Sequence, residues 1–281
     1  DHNYPSHLLN IYDPPPFLYV KGELRQEDSL SVAVVGSRFA SHYGKSAAES
    51  ISRELAQAGL TIVSGMARGI DTCAHRGALT AGGRTIAVLG CGIAVNYPVE
   101  NRKLKEAIST QGALLSEFPM STPPAASHFP MRNRIISGMT LGVVVSEASH
   151  RSGSLITARL ALEQGRDVFA IPGSIDSLRS RGTHKLIKDG AKLVEDAQDV
   201  ITELLPQMRP RPRPAASPQG EETLLDTEAR SILEALGQNQ LQIDRIITET
   251  GLKSNQISSI LLDLELKGMV RQLPGKIFAR K

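Results

Sequence analysis

The strongest constraint on this chain is a series of six short apolar segments, each closed by turn residues: Val32 to Val35, Thr61 to Ser64, Thr85 to Leu89, Ala113 to Ser116, Leu141 to Val145 and Asp167 to Ala170. None alternates apolar with polar side chains, so each reads as a strand buried on both faces. Helical patterns fill the intervals. Tyr43 to Ala58 carries Ala47, Ile51, Leu55 and Ala58 on one stripe, and Leu155 to Gln164 is closed by Gly165. Parallel neighbours need a crossover, so strands alternating with helices predict an α/β, doubly wound domain: a mostly parallel sheet with helices on both faces.

That domain, Rossmann-like, is expected over residues 31–205. Residues 1–30 contain Asp13-Pro14-Pro15-Pro16, where fixed φ angles and missing amide donors preclude a helix, and read as an extended lead-in. Residues 206–222 include Arg209-Pro210-Arg211-Pro212-Arg213-Pro214, a basic, semi-stiff linker too poor in apolar residues to pack. Beyond it, residues 223–281 give three helical patterns, Thr227 to Leu236, Ile243 to Thr250 and Ser254 to Lys267. A hairpin follows, Val270 to Leu273, Pro274-Gly275 and Lys276 to Ala279. Three helices and a hairpin predict a winged helix, with Gly251 in the turn before the third helix.

In open α/β sheets a ligand sits beyond the carboxyl ends of the strands, against helix N-termini with free amides. The loops there are rich in glycine. Gly36-Ser37-Arg38 follows the first strand, Gly65, Arg68 and Gly69 lie between Ser64 and Asp71, and Gly90-Cys91-Gly92 follows the third. Ser152-Gly153-Ser154 opens a later helix. Glycines admit a close backbone approach and arginines add charge, so the cleft suits phosphate. Phe129-Pro130-Met131-Arg132-Asn133-Arg134 joins an aromatic ring to two cations, a pairing suited to single strands: rings stack on unpaired bases while Arg tracks phosphates. Arg132 and Arg134 face differently, so one is expected to meet ligand and the other to support the loop. Lys185 opens a further helix near the same rim.

Other chemistries are excluded or reduced. Gly44-Lys45-Ser46 resembles a Walker A ending, but Phe39 stands where its first glycine belongs. The first strand lacks GxGxxG, and Ser64-Gly65 replaces a ribose-binding acid, so no nucleotide cofactor is expected. Gly153-Ser154-Leu155-Ile156-Thr157 is similar to the GTxxE portion of lysine-decarboxylase-like phosphoribohydrolases, with Thr157 in place of the glutamate. A nucleotide-processing enzyme of that type is therefore the runner-up, Glu147 being its substitute acid. His75 and His128 lack a spaced ligand partner, and Cys73 and Cys91 form no CxxC pair, so neither metal nor disulfide is expected. No membrane span or signal order is present, and a reducing cytoplasm is the expected location. The net charge of +3 permits an anionic partner without requiring one.

Taken in order, Val34 to Arg38, Ser64 to Asp71, Ala74-His75, Tyr97-Pro98, Ser116 to Pro119, Phe129 to Arg134, Ser152 to Ala158 and Ile171-Pro172-Gly173 resemble the DNA-processing protein A (DprA/Smf) family over nearly the whole chain. The resemblance implies a non-catalytic single-stranded DNA binder that shields incoming DNA in natural transformation and loads RecA recombinase onto it. It implies a homodimer formed through the Rossmann-like domains, and an N-terminal helical SAM-like domain that these 281 residues do not include. Carried onto this sequence, it implicates Gly36, Ser37, Arg38, Gly65, Arg68, Phe129, Arg132, Asn133, Arg134 and Lys185 in DNA contact. Adding the loop glycines and hydroxyls, Gly69, Ser152 and Gly153, completes the expected site. At His184 the family's GTN block would have Asn. Residues 226–281 hold eight Lys or Arg and seven Asp or Glu, so the winged helix lacks the basic face of a groove reader and suits docking at least as well.

Overall fold

Segments such as Ser31-Val-Ala-Val-Val35 have no polar face to give to water, and the fold covers them on both sides. The computed structural model describes residues 4–208, 227–236, 240–266, 269–273 and 277–280. It forms two compact units, Asp1–Arg211 and Pro212–Lys281.

The large unit holds an eight-stranded sheet of β1 (Tyr19–Gly22), β2 (Ser31–Val35), β3 (Thr61–Ser64), β4 (Thr85–Val88), β5 (Ala113–Ser116), β6 (Gly142–Val145), β7 (Asp167–Ala170) and β8 (Lys192–Leu193). Their order is β1-β5-β4-β3-β2-β6-β7-β8. From β2 to β8 every pairing is parallel, Val32 lying beside Ile62 on one side and Gly142 on the other. Strands β2 to β5 step one way; the chain then returns to the free side of β2 and steps outward through β6 to β8. The order therefore reverses between β2 and β6, which is where a doubly wound sheet opens its crevice.

The helices are α1 (His42–Gln57), α2 (Ile70–Thr80), α3 (Arg102–Gln111), α4 (His128–Gly138), α5 (Ser154–Glu163), α6 (Arg181–Lys188) and α7 (Ala197–Met208). Period-two alternation is present after all, concealed because both faces are apolar. Val32, Val34 and Val144 pack with Ile51, Leu55, Ile70 and Leu204, whereas Ala33, Val35 and Val143 pack with Ile135, Met139 and Ala158.

Two sequence expectations change here. The expected extended lead-in instead contains 3-10 turns at Ser6–Asn10 and Gln26–Ser29 and the antiparallel edge strand β1, with Tyr19 opposite Ser116. Leu8 and Ile11 enter the same core as α4 and α5. Asp28 is buried, and its carboxylate accepts Arg84 Nε and Nη2 at 2.8 and 2.8 Å and Thr61 Oγ1 at 2.9 Å. The prolines forbid helix but say nothing against pairing on a sheet edge. Of the linker expected over residues 206–222, the first three residues belong to α7, which continues through Met208; its Arg-Pro run lies outside the described residues.

The small unit contains α8 (Thr227–Leu236), β9 (Gln240–Gln242), α9 (Ile243–Thr250), α10 (Ser254–Leu266), β10 (Val270–Leu273) and β11 (Ile277–Arg280). Its sheet order is β10-β11-β9, and Ile232, Leu236, Ile246, Ile257 and Leu261 make its core. This is a winged helix. Gly251 ends α9 at φ 71°, the left-handed position expected for the turn. β9, with Leu241 its only apolar residue, gave no readable strand pattern, and Pro274-Gly275 lies outside the described residues.

The packing of Leu8 predicts that residues 4–30 belong energetically to the sheet. Leu8→Ala should destabilise the large unit by about 2–5 kcal/mol, read as a lower urea midpoint, because a fully buried leucine leaves a cavity. A midpoint equal to wild type would mean that the segment is only laid on the surface.

Candidate functional site

At the β2/β6 reversal lies a cavity of about 690 Å³. Its walls come from the loop after β2 (Gly36, Ser37, Arg38, Phe39), the start of α4 with the chain before it (Ala125, Phe129, Arg132, Asn133), and the start of α5 (Ser152, Gly153, Ser154, Thr157). Asp71 and Tyr97 complete it. Segments far apart in sequence converge because each follows the carboxyl end of a parallel strand or enters the helix behind it.

Arg132 forms the floor. It is 4% exposed, yet Nη1 donates to Gly65 O at 2.7 Å and to Val88 O, while Nε donates to Asn133 Oδ1 at 3.2 Å. Burial pushes its pKa down to about 10 against the opposing pull of Asp71, so it remains charged near neutrality. Asp71 is 6% exposed and accepts the Ala67 amide at 3.2 Å. Burial raises its carboxyl, and Arg132 opposes the rise. Both side chains crowd Gly65: a Cβ there would stand 2.6 Å from Arg132 Nη2 and 2.7 Å from Asp71 Oδ2. Beneath this floor His75 Nδ1 lies 2.7 Å from Thr85 Oγ1. Thr85 spends its hydroxyl proton on Ile62 O, so Nδ1 must carry the hydrogen and Nε2 is left as a buried lone pair. Burial, reinforced by Arg132, pushes His75 down to about 3.

The mouth differs in character. Arg38 is exposed, its guanidinium carbon 4.8 Å from the Phe129 ring centroid. No described carboxylate forms an ion pair with it. Phe129 is also approached by Arg132 at 6.0 Å and by Tyr97 at 5.8 Å between centroids. The β2 loop is held from inside, Ser37 donating its amide to Glu147 O at 2.7 Å and accepting the Ile70 amide on its carbonyl at 3.2 Å. That close contact requires Gly69, whose φ of 75° places a notional Cβ 2.3 Å from Ser37 O.

The helices that follow the two strands of the reversal, α1 after β2 and α5 after β6, begin here with different fates. The cap of α1, Ser41, donates its amide and hydroxyl to the Glu147 carboxylate and accepts the Gly44 amide at 3.1 Å. The protein thus supplies its own anion at α1. α5 starts at Gly153 with no side-chain cap, and Ser152 and Ser154 hydroxyls lie 2.8 Å apart beside it. Glu147 walls a separate, smaller pocket of about 480 Å³ with Ser41, Tyr43 and Ser180, and is not among the residues lining the larger one.

Of the residues expected from sequence, Gly36, Ser37, Arg38, Phe129, Arg132, Asn133, Ser152 and Gly153 come together around one cavity. Gly65 and Gly69 shape it from behind. Three cations do not join it. Arg134 is turned onto Glu117 at 2.9 and 2.6 Å and onto Asp13 at 3.2 Å. Arg68 pairs with Glu100 at 2.5 Å. Lys185 is exposed on α6, outside the lining. The expectation that α4 offers one ligand-facing and one supporting arginine becomes a division between a buried floor and an ion-paired strut. His184, the departure from the family pattern, bonds Gly173 O through Nε2 at 3.0 Å. Reading from sequence missed Phe39, Tyr97 and Asp71 as lining residues; Phe39 directly follows Arg38, so adjacency was the available signal. Among the described residues there is no metal-ligand cluster and no helix long and apolar enough to cross a membrane, and both cysteines are free and buried.

Comparison with known proteins places these features in context. Residues 1–205 match the family model for DNA recombination-mediator protein A, and residues 209–276 match that for the DprA winged helix domain. Protein Smf of Escherichia coli is 43% identical over 277 residues, covering 97% of this chain and 74% of the relative. The DNA processing protein DprA of Streptococcus pneumoniae is 51% identical over 203 residues, 72% of each. The X-ray structure of that S. pneumoniae protein superposes with a TM-score of 0.70 at 50% identity, covering 72% of this chain and 71% of its own. DNA processing protein A from Helicobacter pylori superposes at 0.67 and 33% identity, covering 73% and 94%, in a structure described by that protein's single-stranded DNA binding mode.

Two outcomes follow from this geometry. Gly69→Ala should cost roughly 2–4 kcal/mol in chemical denaturation, whereas Gly153→Ala, with nothing within 4 Å of its Cβ, should stay within about 0.5 kcal/mol of wild type. His75 has a folded pKa below its unfolded value, so the unfolded chain takes the proton first and stability falls as pH drops from 6.5 toward about 3. His75→Asn, which keeps a donor toward Thr85, should therefore gain on wild type by up to about 1.4 kcal/mol per pH unit in that window. A difference between the two proteins that is flat with pH would mean that His75 is charged in the fold.

Proposed function

This chain belongs to the DNA recombination-mediator protein A family, and from that premise we propose that it is a non-catalytic protein that grips single-stranded DNA in the β2/β6 cavity, shields incoming strands in natural transformation and loads RecA recombinase onto them. The observation that carries this reading is Arg38: an exposed guanidinium, laid on Phe129 at the mouth of the cavity and unpaired among the described carboxylates. The uncapped start of α5 lines the same cavity and brings the Ser152 and Ser154 hydroxyls and its positive dipole end to it. The H. pylori relative, described as a single-stranded DNA binder, supports the choice of ligand.

A gripping role suits the residues better than a cleaving one. Thr157, where the phosphoribohydrolase pattern would have an acid, is buried in the cavity wall. Glu147, the substitute acid of the runner-up, is engaged by Ser41 and faces the other pocket. Asp71, the acid that does line the cavity, accepts the Ala67 amide and is buried in the field of Arg132. We further propose a homodimer in the cytoplasm, as the family resemblance implies.

The full chain should bind oligo-dT more tightly than duplex, with affinity falling on added salt by a log–log slope of about −0.7 for each phosphate neutralised. Arg38→Ala should weaken binding about ten- to hundredfold and make that slope shallower. Loading would be read as faster RecA filament growth on the same oligonucleotide. Salt-independent binding, or release of free base from a nucleoside monophosphate, overturns the reading.

A further inference from the structure

The cavity mouth carries two exposed aromatic rings: Phe39, 78% exposed and in no ring contact among the described residues, and Tyr97, 40% exposed and touching Phe129 on one side. Exposed rings gathered on the rim of one cavity, rather than scattered singly, mark a surface for a ligand. Phe129, the ring that the sequence points to for stacking, is already engaged. Arg38 lies over it at 4.8 Å, Tyr97 leans on it at 5.8 Å and 34°, and Gly90 packs so close that a Cβ there would stand 2.7 Å from its Cδ1. A base stacking on the face that Arg38 covers would displace the cation that the phosphate needs.

We propose that Phe39 is the base-stacking platform of this site, with Tyr97 as a second face across the same mouth, and that Phe129 serves instead as the bed on which Arg38 is aimed. The inference rests on the single-strand reading above and deepens it. Phe39 is presented from a fixed loop, because its amide donates to Ser37 Oγ at 3.1 Å and Ser37 is itself tied to Glu147. Arg38 and Phe39 are consecutive and both exposed, so one loop brings a cation for phosphate and a ring for a base to the same cavity. Any base has a π-face, so the platform is tolerant of sequence. A base in a duplex has both faces already stacked, so the same ring selects unpaired strands.

The test is a titration of the full chain with oligo-dT and with an abasic strand of equal length and charge, using wild type, Phe39→Ala, Phe39→Trp and Arg38→Ala. Phe39 is on the surface, so its variants should fold, which circular dichroism and the melting midpoint check. Phe39→Ala should bind oligo-dT about 5- to 150-fold more weakly with an unchanged salt slope, Phe39→Trp should restore binding, and wild type and Phe39→Ala should bind the abasic strand alike. Tyr97→Ala should show the smaller loss of a second face. If Arg38→Ala weakens oligo-dT binding while Phe39→Ala does not, the platform assignment is overturned and the single-strand reading stands. If wild type itself fails to prefer the single strand, both fall. Loss of abasic binding on Phe39→Ala would also overturn the assignment, since the ring would then be acting on something other than a base.

Discussion

The site depends on a buried cation. Arg132 brings a full charge to the floor of the cavity, where an unpaired ion would cost several kcal/mol, and the surrounding chain is arranged to offset that cost. The carbonyls of Gly65 and Val88 accept its Nη1, Asn133 accepts its Nε, and Asp71 stands on the other side of Gly65. These contacts fix the carboxyl ends of β3 and β4 against α4. They also dictate glycine at position 65, since no side chain fits between a guanidinium and a carboxylate already within 3 Å of its Cβ. With α4 fixed, Phe129 at its start is fixed as well, and it is on Phe129 that the exposed Arg38 rests. One arginine thus shapes the bed on which another is presented.

The arginines show why charge content was a poor guide to the site. Arg38, Arg68, Arg132 and Arg134 all stood in loops that the sequence marks as anion-binding, and they have four different environments. Arg134 is neutralised by two carboxylates, Arg68 by one exposed partner, and Arg132 is buried. What distinguishes Arg38 is that it is exposed and has no described acid within ion-pair distance. Partners such as Glu117 for Arg134 and Glu100 for Arg68 lie 17 and 32 residues away, so no local pattern could have assigned them. An ion pair formed inside the protein also screens the field that a phosphate would feel, so counting cations overstates the attraction.

Elements governed by local physics were legible. The six central strands were found to within a residue because unbroken apolar runs have few alternatives in a two-sided sheet. The position of the crevice followed from where parallel strands end, and the glycines at 36, 65 and 69 marked it. Elements that depend on a distant partner were not legible. β1 exists because β5 has a free edge, β8 is two residues long, and β9 has one apolar side chain. The same distinction applies within the site: its location was readable, whereas the engagement of Phe129 and the exposure of Phe39 depend on Arg38, Gly90 and Tyr97 meeting in space.

The reversal of strand order brings two helix N-termini to neighbouring loops, and a phosphate site would be ambiguous if both were open. Glu147 removes the ambiguity. Following β6, it sends its carbonyl to the Ser37 amide and its carboxylate to Ser41, closing the β2 loop and filling the start of α1 with the protein's own anion. The dipole of α1 is thereby satisfied, while α5 has no side-chain cap and leaves the Ser152 and Ser154 hydroxyls at its start. The same commitment supports the proposed gripping role over that of an enzyme built on a similar frame. An acid already serving as a helix cap, and facing a different pocket, is badly placed to hand a proton to a leaving base in the larger cavity. The feature that orients the proposed anion site is therefore also the feature that favours holding a strand over releasing base from a nucleotide.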